Sequence, residues 1–386
     1  HHGQLLRPVE EALRRRGAEV LYWTTDTEGC FQIALTKELG TQGFYWLPDH
    51  WDEEEALRLY HSHAPWLQTQ VLEPNALSLM LPQVLDRVLL TICREWIGLR
   101  TLLQMLHPTH LLALHEINRW GRMLGAQAKR RGLPYATLQE GLYYNDPFYY
   151  TGAARTSHVY IWGEATKQKL VAAGNDPARL HAVGHPDLAA RWRQGQEQRA
   201  LLNAELPECA RGRKLALVFF GHASIVDTVP IEAIWEGIDE SEWFVVGRVH
   251  QLAALPELTK LAALFAAHPL STWLSPNSLP LAHHWRLMAA AEAALLVGCS
   301  TLALEWCWSG KPMGRIPTGN MFRDFGTEGI LVPSDSAPFA AAFDKVVAFW
   351  QRDGFAERAR QFVAYEISTP EDAADRIADA ILAQTD

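Results

Sequence analysis

Short apolar runs alternate with segments of helical periodicity along most of the chain. In the second half, five such runs predict strands: Leu215–Phe220, Trp243–Val249, Ser271–Leu274, Ala293–Val297 and Met313–Ile316. Strands buried on both faces of a parallel sheet show this kind of continuous apolar run. Similar runs in the first half occur at His110–Leu114, Tyr135–Leu138, His158–Trp162 and Leu180–Val183. The alternation predicts a layered α/β fold with parallel sheets.

A polar stretch with proline and glycine, Leu206–Lys214, interrupts this alternation and is typical of a linker. We therefore expect two doubly wound, Rossmann-like domains, over residues 1–206 and 207–370, which face a cleft. A C-terminal helix over residues 371–386 is expected to pack back on the first domain. Because open α/β sheets bind ligands beyond the carboxyl ends of their strands, the cleft is the expected place for chemistry.

The beginning of the chain departs from this pattern. A helix from Leu5 to Gly17 and a strand from Ala18 to Trp23 are predicted there, after the residues HHG, which are typical of a trimmed or tagged end. The strand expected before this helix is therefore missing or displaced.

Composition narrows the functional classes. The 386 residues carry a net charge of −9, so the general electrostatic attraction that nucleic-acid binders rely on is absent. Five cysteines without CxxC spacing favour a reducing, cytoplasmic compartment. No apolar run reaches the length of a membrane span. The apolar segment Leu77–Leu106 fits a buried helix by default, and also fits an acceptor groove, a dimer face or a peripheral contact at the inner face of the membrane.

Two groups of motifs resemble a known family. The first half contains GLPYATLQEG (132–141), VYIWG (159–163) and VGHPD (183–187), and the second half contains VGRVH (246–250), GCSTLALE (298–305) and GKP (310–312). Their order and spacing resemble bacterial surface-polysaccharide glycosyltransferases of the GT-B class, including the sialyltransferase-like group. The resemblance implies an acceptor-binding first domain and a second domain that binds a CMP- or UDP-linked sugar, without a metal ion or other cofactor.

Candidate donor-binding residues lie at strand ends of the second half. Ser300 and Thr301 fall between a strand and a helix, where free amides suit phosphate, although an ordinary N-cap gives the same pattern. Glu305 one turn later is implied by the resemblance to contact the nucleoside or sugar. Arg248 and His250 end a strand and fit a diphosphate, while a structural histidine fits equally well. Gly221 and His222 form a weak second phosphate-loop candidate.

Glycosyl transfer with inversion requires a base that deprotonates the acceptor hydroxyl. Glu140 ends an apolar strand before Gly141 and is the first candidate, since the resembled sugar transferases carry an acid there. His115 and Glu116, at the end of the preceding strand, are rivals that orient the acceptor or act as the base. Histidine pairs elsewhere lack carboxylates at ligand spacing, so no metal site is expected.

The sequence therefore predicts an inverting glycosyltransferase that uses Glu140 as general base, with a nucleotide sugar and a carbohydrate as its partners. Two alternatives remain open. A nucleotide-sugar 2-epimerase shares the architecture, although the clustered acids and arginines of such epimerases are not evident. A catalytically silent module that binds a nucleotide or sugar is the other. The acceptor, the linkage and the oligomeric state do not follow from the sequence.

Overall fold

The computed structural model describes residues 2–24, 44–69, 76–141, 154–220, 239, 241–249, 255–268, 270–274, 281–297, 302–316, 332–333, 347–348, 351, 354–368 and 371–384. These residues form three parallel sheets, of two, four and six strands. The small sheet pairs β1 (Tyr22–Thr24) with β2 (Phe44–Trp46). The first large sheet has four strands in sequence order: β3 (Leu111–Ala113), β4 (Tyr135–Leu138), β5 (His158–Ile161) and β6 (Leu180–Ala182).

The second large sheet contains six strands in the order β12-β11-β10-β7-β8-β9. Their bounds are β7 (Lys214–Phe220), β8 (Trp243–Val249), β9 (Ser271–Leu274), β10 (Ala293–Val297), β11 (Met313–Ile316) and β12 (Val332–Pro333). All neighbouring strands are parallel, but the order in which the chain adds them changes sides at β7: β8 pairs with one side of β7, and β10 pairs with the other. Such a switch point is where doubly wound sheets hold their ligands.

Helices connect these strands. In the first half they are α1 (His2–Arg15), α2 (Glu53–Thr69), α3 (Ala76–Leu106), α4 (Arg119–Arg131), α5 (Glu164–Ala172), α6 (Leu188–Glu197) and α7 (Arg199–Glu205). In the second half they are α8 (Leu255–Ala266), α9 (Leu281–Ala290), α10 (Leu302–Trp308), α11 (Phe355–Glu366) and α12 (Ala373–Leu382). No helix within the described ranges combines the length and apolar character that crossing a membrane requires.

The predicted strands of both large sheets are confirmed to within a residue or two at each end. The predicted first strand is shorter, because Ala18 to Leu21 are not paired and only Tyr22–Thr24 joins a ladder. The helical periodicity of the sequence also predicts helices at 230–238 and 338–350, and these lie almost entirely outside the described residues.

Each large sheet has its own apolar core. Val9 and Leu13 of α1 and Ile377 and Ile381 of α12 pack with the first sheet. The second sheet packs against α9, α10 and α11, and also against α6 and α7, through residues such as Trp192. Helices α6 and α7 thus pack with the second sheet, although they precede the expected boundary at residue 206. The final helix α12 returns to the first sheet.

The two connections between the sheets touch each other. After β6 the chain runs through His185 into α6, and after α11 it runs through Ser368 into α12. The His185 amide donates to the Ser368 carbonyl at 2.7 Å, and the Ser368 amide donates to the Trp162 carbonyl at 2.9 Å. The ring of His185 lies 4.6 Å from that of Trp162. Both crossings are therefore anchored at the carboxyl end of β5.

Candidate functional site

The carboxyl edge of the first sheet brings His115 and Glu140 together. His115 lies two residues beyond β3 and Glu140 two residues beyond β4, and these strands pair in parallel with Leu111 opposite Tyr135. Both residues therefore follow neighbouring strands at the same edge of the sheet. His115 Nε2 lies 3.1 Å from Glu140 Oε1, and the side chains are 17% and 25% exposed. The pair is sheltered but reachable from solvent.

Glu116 lies next to this pair but points into the protein. It is 2% exposed. Its two oxygens accept hydrogen bonds of 2.6–3.1 Å from the amides and hydroxyls of Thr156 and Ser157. These four donors occupy the carboxylate, so Glu116 ties the end of β3 to the turn before β5. This geometry suits a residue that positions His115 and does not suit one that takes up a substrate proton.

Two glycines of α4 allow this close packing. A Cβ on Gly121 would lie 2.2 Å from the His115 carbonyl oxygen, and one on Gly125 would lie 2.3 Å from Thr156 Oγ1. Asn118 caps the same helix, because its Oδ1 accepts from the Gly121 amide at 2.7 Å. The start of α4 is thereby pressed against the backbone of His115 and Glu116.

Gln139 holds the backbone on either side of Glu140. It is 1% exposed. Its Oε1 accepts from the Trp162 amide at 2.8 Å and its Nε2 donates to the Gly141 carbonyl at 2.9 Å. The main-chain amide of Gln139 also donates to the Tyr160 carbonyl at 3.0 Å. The turn that carries Glu140 is therefore fixed to the end of β5.

The carboxyl edge of the second sheet carries Arg248, near the end of β8. The guanidinium is partly buried, and burial lowers its pKa to about 10. Its Nη1 contacts Nδ1 of His284, which comes from α9 and packs against Phe219 of β7. In the part of the chain that the structure describes, Arg248 has no carboxylate within ion-pair distance. A partly buried guanidinium in this environment is suited to binding an anionic ligand.

Glu305 lies in the first turn of α10, which follows β10. It is 9% exposed, and burial raises its pKa to about 7 although the positive charge of Arg191 acts in the opposite direction. Arg191 of α6 pairs with Asp187 one turn earlier. Burial also raises the pKa of Asp187. This cluster links α6 to the carboxyl edge of the second sheet.

His185 belongs to the VGHPD motif and has a structural task. It is 4% exposed, and its Nδ1 accepts from the amides of Asp187 at 3.1 Å and Leu188 at 3.0 Å. Burial lowers the pKa of His185 to about 3, so the ring stays neutral and can accept these bonds. It caps α6 and fixes the connection between the sheets.

Lys311 of the GKP motif also serves the fold. Its Nζ donates to the carbonyls of Met288, Ala289 and Ala291 at 2.6–2.9 Å, at the end of α9. Burial lowers the pKa of Lys311 to about 8. Because all three ammonium protons are used, this lysine caps a helix and does not face a ligand.

The predicted site residues thus fall into three groups. His115, Glu116 and Glu140 meet at the first edge, while Arg248 and Glu305 lie at the second. The remaining donor candidates lie outside the described residues: Gly221, His222, His250, Ser300 and Thr301. Sequence reasoning missed His284 and Arg191. The spacing of Asp187 and Arg191, one helical turn apart, is a signal for the second of them.

The chemistry available at each edge differs. A carboxylate in close contact with an imidazole can take up a proton from a hydroxyl or an activated carbon and return it. A cation without a carboxylate can hold phosphate and stabilise a departing nucleotide. Together the two edges offer proton transfer on one sheet and anion binding on the other.

No protein-family model matches the sequence, and comparison with curated proteins gives no match. Solved structures match over nearly the whole chain. The UDP-GlcNAc 2-epimerase of Neisseria meningitidis, bound to UDP-GlcNAc, has a TM-score of 0.62 at 12% identity, covering 99% of this chain and 96% of its own. The corresponding enzyme of Methanocaldococcus jannaschii has a TM-score of 0.59 at 12% identity, with coverages of 99% and 97%.

A third solved structure is MurG of Acinetobacter baumannii, with a TM-score of 0.54 at 12% identity and coverages of 99% and 97%. These similarities confirm the predicted fold class, an α/β chain with two Rossmann-like domains of the GT-B type. They do not support the narrower expectation of the sialyltransferase-like group, because these three similar structures are two UDP-GlcNAc 2-epimerases and MurG.

Proposed function

We propose that this chain is an enzyme that acts on a UDP-linked amino sugar, with 2-epimerisation as the first candidate reaction. The observation that carries the proposal is the arrangement of charge at the two carboxyl edges. A histidine–glutamate pair on the first sheet can move a proton, and Arg248 on the second sheet contacts His284 and has no carboxylate within ion-pair distance among the described residues. A nucleotide sugar supplies both the anion and the proton.

In this proposal Arg248 binds the diphosphate, with His284 directing its guanidinium. Glu305 lies at the same edge, where it can accept hydrogen bonds from hydroxyls of the nucleoside. The choice of UDP over CMP rests on neighbours whose structures contain UDP, including a protein of Anabaena solved in complex with it (TM-score 0.53, 12% identity). We expect Glu140 to take up the proton and His115 to orient the carboxylate.

Inversion at C2 of the sugar requires that the C2 proton be removed and a proton be returned on the opposite face. Because C2 has no neighbouring carbonyl group, the electron pair of the broken C–H bond forms a C1–C2 double bond as UDP leaves C1, and UDP adds back to C1 when C2 takes up the new proton. A carboxylate with an imidazole beside it can serve such a step. The epimerase reading is placed first because the two epimerase structures superpose better than MurG does, with TM-scores of 0.62 and 0.59 against 0.54.

Inverting sugar transfer is the second candidate. It is favoured by the match to MurG, a GT-B glycosyltransferase, over 99% of this chain. In that reaction Glu140 would deprotonate an acceptor hydroxyl, and Arg248 would stabilise the departing UDP. The two candidates use the same residues and differ in whether an acceptor is consumed.

One experiment separates these functions. UDP-GlcNAc is incubated with the protein in D₂O without an acceptor and followed by proton NMR. Epimerisation replaces the C2 proton with deuterium and produces the 2-epimer. A transferase leaves the C2 proton in place and releases UDP only when a suitable acceptor is added. A UDP-GlcNAc spectrum that stays unchanged with or without acceptors contradicts both candidates, and the Glu140→Gln variant is the negative control.

A further inference from the structure

Glu140 is held between two backbone attachments that come from one side chain, Gln139. The amide of Gln139 bridges from the Trp162 N–H to the Gly141 carbonyl, at 2.8 and 2.9 Å. Glu140 is the residue between Gln139 and Gly141. The Gln139 side chain, the Glu140 backbone and the Gly141 carbonyl therefore form a small hydrogen-bonded ring that includes the Glu140 Cα. The bond to the Trp162 amide attaches this ring to the end of β5.

The two bonds require both a donor and an acceptor on the same side chain. Of the two ends of the Gln139 amide, only NH₂ can donate to the Gly141 carbonyl, and only the oxygen can accept from the Trp162 amide. A carboxylate at this position could accept from Trp162 but would face the Gly141 carbonyl oxygen with a second negative group. Glutamine satisfies both backbone groups, and it is 1% exposed.

The far end of this ring is also fixed. The Trp162 carbonyl accepts from the amide of Ser368 at 2.9 Å and from its hydroxyl at 3.1 Å. Trp162 itself is 2% exposed. Gln139 thus connects the turn that carries Glu140 to the rigid crossing between the two sheets.

We propose that Gln139 is a positioning residue that sets the direction of the Glu140 carboxylate toward His115. The inference rests on the proposed function of the His115–Glu140 pair and adds the residue that aligns it. Gln139 acts through the backbone of Glu140, and the chemical step stays with the pair itself. Misplacing a reacting group by about 1 Å can cost about a hundredfold in rate, so loss of the ring should be visible in kcat.

The test compares Gln139→Met and Gln139→Glu with wild type and with Gln127→Met. Methionine matches the length of glutamine but provides neither bond. We expect Gln139→Met to lower kcat by roughly 10- to 100-fold while KM for UDP-GlcNAc stays within about twofold, because the second sheet holds the nucleotide. Gln127 is also buried, at 2% exposure, but lies toward the far end of α4. Gln127→Met should keep the wild-type kcat.

The Gln139→Glu variant adds a pH signature. When protonated, its carboxyl group has one O–H donor and one carbonyl acceptor, as the amide does. Its kcat relative to wild type should therefore rise as the pH falls, whereas that of Gln139→Met should stay low at every pH. Parallel pH profiles for these two variants would overturn the proposal, as would a wild-type kcat in Gln139→Met.

A second measurement does not depend on turnover. The protein is labelled with ¹⁵N-histidine, and the Nε2 signal of His115 is assigned through its loss in His115→Gln. Displacement of Glu140 should move this signal in Gln139→Met and in Glu140→Gln but not in Gln127→Met. If wild type fails to convert UDP-GlcNAc, the proposed function fails, and this signal still decides the positioning role. An unmoved signal in Gln139→Met would overturn that role.

Discussion

The carboxyl edges of the two large sheets differ in how their charged side chains are partnered. At the first edge the two acidic groups that the structure describes beyond β3 and β4 have local partners: Glu140 faces His115, and Glu116 accepts from Thr156 and Ser157. At the second edge burial shifts the pKa of Arg248 down to about 10 and that of Glu305 up to about 7. The first edge is organised before any ligand arrives. The second holds desolvated charges that a ligand could complete.

This difference suits the two edges to different tasks, proton transfer and anion binding. Proton transfer needs groups that are already aligned, because reorganising them during the reaction costs free energy. Anion binding instead benefits from a cation that lacks a counter-charge, since the ligand then supplies it. We infer that the first edge performs the chemistry and the second edge provides the affinity.

Glu140→Gln tests the chemistry of the first edge. Removing a general base should lower turnover of UDP-GlcNAc by roughly 10²- to 10⁴-fold. Binding of UDP should remain as in wild type, because Arg248 is untouched. Deuterium incorporation at C2 measures turnover, and Glu54→Gln on the exposed face of α2 is the control. Near-normal turnover would remove Glu140 from the reaction.

Glu116→Ala tests the internal organisation of the first edge. The variant leaves the amides and hydroxyls of Thr156 and Ser157 without their acceptor, so we expect a loss of about 3–5 kcal/mol in the free energy of unfolding. Urea denaturation measures this loss. Glu116→Gln should lose less, because it keeps the shape and one acceptor oxygen. A loss near zero for Glu116→Ala would mean that these hydrogen bonds do not hold the turn.

Glu305→Gln tests burial at the second edge through pH. The pKa of Glu305 is about 7 in the folded protein and ordinarily 4.5, so its ionisation opposes folding. No penalty exists below pH 4.5, where the group is protonated in both states, and the penalty grows until about pH 7. The free energy of unfolding of wild type should therefore fall by up to about 3 kcal/mol relative to that of Glu305→Gln between pH 4.5 and 8. Equal pH dependence of the two unfolding midpoints would contradict this burial.

Arg248→Met should give the smallest change. Replacing a partly buried cation that has no carboxylate partner among the described residues by an apolar side chain should raise the stability of the ligand-free protein by roughly 1 kcal/mol. Urea denaturation without nucleotide measures it. Arg14→Met on α1 is the comparison, because Arg14 pairs with Glu10 at 2.8 Å and its loss should not stabilise. A destabilised Arg248→Met protein would show that the guanidinium serves the fold.

Much of the fold follows from local sequence. The bounds of β8 and β10 are read directly from Trp243–Val249 and Ala293–Val297, because strands buried on both faces are uninterrupted apolar runs. Helices α6 and α7 are not predicted, since their apolar residues pack against a sheet whose strands come later in the chain. Residues such as Trp192 acquire their burial only from the second core.

The sequence identifies individual candidate residues of the site, but it does not predict which of them contact each other. His115 and Glu140 appear in the sequence as rival bases, and only the pairing of β3 with β4 makes them partners. The role of Glu116 depends on Thr156 and Ser157, about 40 positions later in the chain. Lys311 belongs to a motif that resembles a donor site, yet its ammonium group donates hydrogen bonds to three carbonyls at the end of α9. Distant contacts decide these roles.

The division of work between the edges is tested most directly by calorimetric titration with UDP. We expect wild type and Glu140→Gln to bind UDP with equal affinity, and Arg248→Met to bind it at least about tenfold more weakly, since a charge-assisted phosphate contact is lost. Equal affinity in Arg248→Met, or no binding by wild type, would contradict the assignment of the second edge as the nucleotide site.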